Sequence, residues 1–296
     1  MAGVADPPVA AAPEAGREEG EVTRGTDGAR RARHRGSNTA EYNIAAMAIL
    51  ALETVTRRGS LALWDAGVVV HARHGDDSRT HGARLPGEIL GFLGDHGRSL
   101  ADINLFAIVS GPGSFTGLRV GLASVQGLAL AGGRQVIPVP TLEAMAECWC
   151  GQNPRTPDPR TLLVPCLDGQ RGDVFFAGWA LTASTGIDQA REILPSSVGK
   201  PGDLRRALES VCAAPAERIV LFGDGARRHA AAFGGMDIEL HEVSGPLAGA
   251  AAAIAWRRRA LAVAPHALRP LYIRRPDAEL ARERAGVEPA GTKGLA

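Results

Sequence analysis

The chain has 296 residues, 45% hydrophobic and 22% charged, which is enough apolar material for a packed core and excludes collagen-like and wholly disordered readings. Its 33 Lys+Arg against 32 Asp+Glu leave a net charge of +1, unlike the strongly basic balance of a dedicated nucleic-acid binder. No run approaches the roughly 20 apolar residues that span a bilayer.

Length predicts about two domains. The first 40 residues are rich in Ala, Gly, Pro, Glu and Arg and lack Leu, Ile and aromatics. Such a segment buries too little surface to offset its ordering entropy, so residues 1–46 are predicted to be a disordered extension. They contain no apolar h-region of a signal peptide, and Met47 is an alternative start. The arginines Arg30, Arg31, Arg33 and Arg35 read as a solvated tail.

Order is expected from near Ile44. AILALE (48–53) and SLALW (60–64) read as short strands, Asp65-Ala66-Gly67 as a turn, and Val68-Val69-Val70 as the start of a third strand, together an antiparallel meander. Leu85, Ile89, Leu90 and Leu93 recur at helical spacing. Residues 105–109 read as a buried strand, followed by a glycine-rich loop, a small-residue helix over about 116–131 and a strand at 136–139. Thr141 is expected to cap the next helix. The three prolines of QNPRTPDPR (152–160) mark a linker. Beyond it come a strand at 162–167 ending in Asp168, its hairpin partner at 173–180, a helix near 203–211, a strand at 219–222, a turn at Gly223-Asp224-Gly225 and a helix near 247–261.

The second half repeats the first. An acidic residue ends the opening strand in both (Glu53, Asp168), and Arg-Gly opens the second strand in both (Arg58-Gly59, Arg171-Gly172). Two such lobes predict an α/β fold of the duplicated actin-like, ribonuclease-H-like kind, with lobes at 47–151 and 161–278 and a flexible tail at 279–296. A Rossmann fold is disfavoured because residues 111–117 (GPGSFTG) do not fit G-x-G-x-x-G. Lys200 and Lys293 are the only lysines and no Gly-Lys-Ser/Thr exists, so a P-loop is excluded. Cys148, Cys150, Cys166 and Cys212 form no C-x-x-C, have no His at finger spacing, and read as reduced thiols of a cytosolic protein rather than a zinc site.

In the loop, Gly111 and Gly113 permit positive φ, and Ser114 or Thr116 can cap the helix, whose first N–H groups also suit an anion. Both a plain capped turn and a ligand contact fit. In the following helix Gly117, Gly121 and Ser124 share a small face that permits close approach of another helix, flanked by Arg119, Val120 and Gln126. That helix can lie in this chain or in another, and the flanking side chains make a second-chain contact a reasonable expectation.

The run GPGSFTGLRVGLASVQG (111–127) resembles the TsaB (YeaZ) family of tRNA threonylcarbamoyladenosine biosynthesis, which carries an old glycoprotease (peptidase M22-like) label. LALET (50–54) is similar to the family's opening strand, with Glu53 where Asp is usual. His81 with Leu85-Pro86, PTLEA (140–144), residues 168–175, GDGA (223–226) and PLYIRR (270–275) match its other motifs in order. The resemblance implies a cytoplasmic, non-catalytic scaffold that activates a TsaD-like transferase acting on the adenosine next to the anticodon in tRNAs reading codons that start with A. It also implies a heterodimer with that paralogue, a TsaE-like ATPase partner, contact with tRNA through the complex, and self-association when alone. No cofactor is expected on this chain itself; ATP and metal are expected on the partner. TsaD-like proteins hold a metal through H-x-x-x-H, whereas here His81 is followed at that spacing by Leu85. Leu85, Ile89, Leu93, Gly117, Arg119, Val120, Gly121 and Ser124 are the expected interface, and an arginine at Gly121 is expected to abolish docking in a folded monomer. Gly111, Gly113, Ser114 and Thr116 are the candidate ligand loop. No catalytic or metal residue is assigned.

The competing reading is a stand-alone actin-like ATPase or kinase, with Glu53 and Asp168 as metal carboxylates and residues 223–225 as a nucleotide turn. A metallopeptidase-like enzyme is disfavoured, since G-x-S-x-G is absent and Ser114 has no evident His partner. A cluster of Arg257, Arg258, Arg259, Arg274 and Arg275 could touch RNA, although a solvated helix end explains it more simply.

Overall fold

The structure, a computed structural model, describes residues 47–154, 158, 160–182, 186–211, 218–243 and 245–274. The extension at 1–46, residues 155–157 and 159 of the proline-rich linker, Cys212, Arg275 and the tail lie outside these residues.

The first sheet comprises β1 (Ile49–Glu53), β2 (Ser60–Asp65), β3 (Val68–His74), β4 (Leu105–Val109) and β5 (Gln135–Val139), in the order β3-β2-β1-β4-β5. The second comprises β6 (Thr161–Asp168), β7 (Val174–Ala180), β8 (Arg191–Gly199), β9 (Arg218–Phe222) and β10 (Ile238–His241), in the order β10-β9-β6-β7-β8. Read from the opposite edge, the second order is the first. In each sheet a hairpin meander is antiparallel, a later strand pairs in parallel with the opening strand, and the last strand pairs in parallel with that one. This is the duplicated actin-like arrangement, and the Arg-Gly repeat marks equivalent hairpin turns, with Gly59 at φ 62° and Gly172 at φ 77°.

Among the described residues the α-helices are α1 (His81–Asp95), α2 (Phe115–Gly132), α3 (Thr141–Gln152), α4 (Pro201–Val211), α5 (Asp224–Arg228) and α6 (Leu247–Arg257). The expected turn at residues 223–225 is the start of α5, because Gly223 (φ 108°) turns the chain directly into a helix. Thr141 is the first helical residue of α3 rather than its cap; Pro140 holds that position. Strands β8 and β10 carry no clear alternation: both are edge strands, mostly exposed or half-buried, so their residues need not separate into polar and apolar faces.

Packing crosses between the halves. Helix α6, late in the chain, packs on β1, β2, β3, β4 and β5, and α3, from the first half, packs on β6. Both belong to one buried core with Leu50, Leu52 and Phe106 of the first sheet and Leu163, Leu167 and Phe222 of the second. The alternate residues of β6, Leu162, Val164 and Cys166, face a separate core with α4's Leu204 and Leu208. The alanines of α6 (Ala248, Ala251, Ala252, Ala255) are fully buried, and their small size lets this helix lie close to a sheet. Arg257 and Arg258 fasten the layer: Arg257 bonds Glu147 (2.9 Å) and Asp188, and Arg258 bonds Asp188 (2.7 Å) and pairs with Glu143 (2.6 Å).

Candidate functional site

The strand-to-helix loop after β4 packs tightly within the chain. A Cβ at Gly113 (φ 153°) would lie 2.6 Å from Val55 Cβ, and one at Gly111 (φ 114°) would lie 2.6 Å from the Leu271 carbonyl oxygen. These close approaches require glycine. The Ser114 amide donates to the Val55 carbonyl (3.0 Å), and Ser114 Oγ accepts from the Gly117 amide (3.2 Å), capping α2. Gly113, Ser114 and Thr116 line an open cleft of about 1210 Å³ between the strand ends of the two sheets, together with Arg57, Arg79, Asp168, Asp224 and Tyr272. Gly111 is not in that lining.

The small face of α2 meets its partner inside the chain. A Cβ at Gly117 would stand 2.0 Å from the Thr54 carbonyl oxygen, and one at Gly121 would stand 2.1 Å from Thr54 Oγ1. The glycines bring α2 against the end of β1. This corrects the expectation that Gly117 and Gly121 contact a second chain and that an arginine at Gly121 leaves a folded monomer. Ser124 is half-buried and its hydroxyl donates back to the Val120 carbonyl (2.8 Å). Leu85, Ile89 and Leu93, also expected at the interface, are at most 2% exposed and belong to the core. The helical period was right, but it reports the inward stripe of an amphipathic helix.

The outward stripe is a different set. On α1 it consists of Gly82, Ala83, Pro86, Gly87, Leu90, Gly91 and Gly94, with Leu90 59% exposed. On the adjoining α2 it consists of Thr116, Arg119, Ala123, Gly127, Leu130 and Ala131, with Leu130 71% exposed and Val120 half-buried beside it. Arg119 is the one charged residue among these; at the end of α1, Asp95 is exposed as well and pairs with Arg73 (2.9 Å).

Glu53 and Asp168, the candidate metal carboxylates, are both engaged. Glu53 is buried and accepts from the Thr56 amide (2.6 Å), Thr56 Oγ1 (3.1 Å) and Ser60 Oγ (3.1 Å). Burial pushes its carboxyl above the ordinary value of 4.5, against the pull of those donors and of His81. Asp168 accepts from the Gln170 amide (3.0 Å) and pairs with Arg228 (2.9 Å), while Asp224 accepts from the Asp168 amide (2.9 Å). His81 uses both ring nitrogens: Nδ1 accepts from Arg84 (2.9 Å), which leaves Nε2–H to donate to the Thr56 carbonyl (2.9 Å). Among the described residues no group of three or more His, Cys, Asp and Glu is placed to hold a metal, and no helix is long and apolar enough to cross a membrane.

The arginines considered for RNA are engaged as well. Arg257 and Arg258 hold α3, Arg259 lies over the Trp256 ring (4.3 Å), and Arg274 donates to the Gly169 carbonyl (3.0 Å) and pairs with Asp173. What the sequence reading missed is the segment at 262–274. It adds a bridge from Val263 to Val136, gives its Pro265 carbonyl to Gln126 (3.1 Å), donates from Leu271 to the Ser110 carbonyl (2.7 Å) and reaches the second sheet through Arg274. Its motif PLYIRR was visible, but nothing in its pattern says that it straps the cleft.

A family model described as TsaD, tRNA N6-adenosine threonylcarbamoyltransferase, matches residues 75–205. The tRNA threonylcarbamoyladenosine biosynthesis protein TsaB of Escherichia coli is 38% identical over 131 residues, covering 44% of this chain and 54% of that protein. The chain therefore aligns with about half the length of that relative. An uncharacterized protein of Mycobacterium tuberculosis (strain ATCC 25618 / H37Rv) is 32% identical over 239 residues, 78% of this chain and 93% of its own length. A Pseudomonas aeruginosa protein described as similar to peptidase YEAZ shares the fold, with TM-score 0.62 and 24% identity over 77% of this chain and all of that one. The mycobacterial match runs along nearly a whole protein and the E. coli match carries the TsaB name, so this chain belongs to the TsaB (YeaZ) family.

Proposed function

We propose that this chain is a non-catalytic, cytoplasmic subunit that docks a TsaD-like transferase and thereby supports threonylcarbamoylation of the adenosine next to the anticodon in tRNAs reading codons that start with A. One observation carries the reading: α1 and α2 turn a stripe of Gly, Ala, Pro and Leu to the surface, with Arg119 on it and the Arg73-paired Asp95 at its end. Such a stripe is costly in water and suits close helix packing against a partner. The engaged oxygens of Glu53 and the doubly bonded His81 support assigning ATP and metal to the partner rather than to this chain. A TsaE-like ATPase and tRNA would join through the complex.

The test uses Leu90→Arg and Gly91→Arg. Leu90 is exposed and a Cβ at Gly91 meets nothing within 4 Å, so the fold tolerates both changes. Co-expressed TsaD-like paralogue is expected to lose association, and threonylcarbamoyladenosine in tRNA is expected to fall when either variant is the sole copy. A variant that binds and supports modification like the wild type refutes the reading, and so does a pure chain that installs the group unaided.

A further inference from the structure

Arg119, the arginine exposed on α2, is held by two aromatic rings. Its guanidinium lies 3.8 Å over the Phe115 ring, and Phe115 stacks in turn on Tyr272 at 5.5 Å. Its Nε–H donates to the Tyr272 hydroxyl at 3.2 Å. The two terminal amino groups have no hydrogen-bond or ion-pair partner among the described residues. A side chain with many rotamers when free is thus held in advance, with its fork of donors open. Phe115 and Tyr272 stay partly exposed beside it, at 43% and 38%. Aromatics around an arginine are the composition of an interface anchor.

We infer that Arg119, fixed by Phe115 and Tyr272, is the anchor that recognises a carboxylate on the docked partner, and that this partner is a different protein chain. The inference rests on the docking reading above. Bidentate pairing with a carboxylate matches the planar fork, and the surrounding uncharged stripe would exclude water from the pair. A second copy of this chain is the poorer source of the carboxylate. The acids of α1 near the stripe are Glu88 and Asp95; Glu88 is paired with Arg84, and Asp95 with Arg73 at 2.9 Å. A second copy would therefore offer Arg119 only acids that already hold an arginine. RNA is the poorer occupant, since the stripe beside Arg119 offers no further cation for a phosphate backbone.

The experiment measures affinity of the full chain for the purified TsaD-like paralogue, with Arg119→Ala, Arg119→Lys, Arg119→Glu and Tyr272→Phe, each checked by its melting curve. Arg119→Ala is expected to weaken binding at least tenfold and Arg119→Lys to recover part of it. Arg119→Glu is expected to abolish binding, and one acid→Arg exchange on the partner is expected to restore it. Tyr272→Phe is expected to weaken binding several-fold by freeing the guanidinium. If Leu90→Arg blocks docking while every Arg119 variant binds like the wild type, the docking face stands and the anchor falls. If Arg119→Glu is rescued only by Asp95→Arg in a self-associating chain, the partner is a second copy and the inference is overturned. Loss of tRNA binding by the isolated chain in Arg119→Ala, with paralogue affinity unchanged, overturns it too.

Discussion

Two alanine substitutions in one helix should move stability in opposite directions. At Gly117 an added Cβ would sit 2.0 Å from a backbone oxygen of Thr54, more than 1 Å inside the ~3.3 Å of an ordinary C···O contact. The obstacle is main chain, so it cannot rotate away, and α2 must lift from β1. Overpacking of this kind costs about 1–3 kcal/mol, and a backbone obstacle places this case at the upper end. Replacing a helical glycine returns ~1 kcal/mol, so the net loss is about 2 kcal/mol. At Gly127, ten residues along the same helix, nothing lies within 4 Å, so only the gain of ~1 kcal/mol remains. For a structured region of this size each kcal/mol shifts Tm by roughly 2–4 °C. Gly117→Ala should therefore melt roughly 4–8 °C below the wild type and Gly127→Ala slightly above it, measured by circular dichroism at 222 nm with urea titration as a check. A Gly117→Ala chain as stable as Gly127→Ala would mean that α2 does not approach Thr54 as described.

Glu53→Gln should flatten the pH dependence of stability. The raised carboxyl contributes stability that is full below its ordinary value of 4.5 and is lost as pH rises through its higher folded value, so wild type should lose ground to the glutamine variant as pH rises from about 4.5 in paired urea melts. Arg258→Ala should cost about 1–2 kcal/mol by urea unfolding, because Asp188 and Glu143 lose a donor in a mostly covered place. Asp188 titrates low: burial raises it, but its bonds from Arg257 and Arg258 outweigh that, so its contribution should fade as pH drops below the ordinary value of 3.8. Cys148 and Cys150, pushed by burial up to about 11 and about 12, should stay unmodified by iodoacetamide at pH 8 in the native chain and react after unfolding, as read by peptide mass spectrometry.

The meander and the internal repeat were legible because turn residues and two-residue alternation are local signals. Arg58-Gly59 and Arg171-Gly172 mark equivalent turns for that reason. The proposed docking face was read from the inward side of its helices. Leu85, Ile89 and Leu93 stand out in a sequence since they are large, whereas the stripe that faces water is built from Gly87, Gly91 and Ala123, which carry almost no signal of their own. The glycines of α2 suggested close approach correctly, but only three-dimensional placement identifies Thr54 as what approaches. The same limit hid the grip on Arg119, because Tyr272 lies 153 positions away along the chain.

The exchange of last helices also dictates an order of events during synthesis. Until Arg257 has emerged from the ribosome, the inner surface of strands β1 to β5 has no cover, although those strands were finished more than a hundred residues earlier. The nascent first half must wait with apolar surface bare, a period in which chaperones would have something to hold. A gene split in the proline-rich stretch would yield two fragments, each missing the helix that closes it, and only their reunion would restore either one.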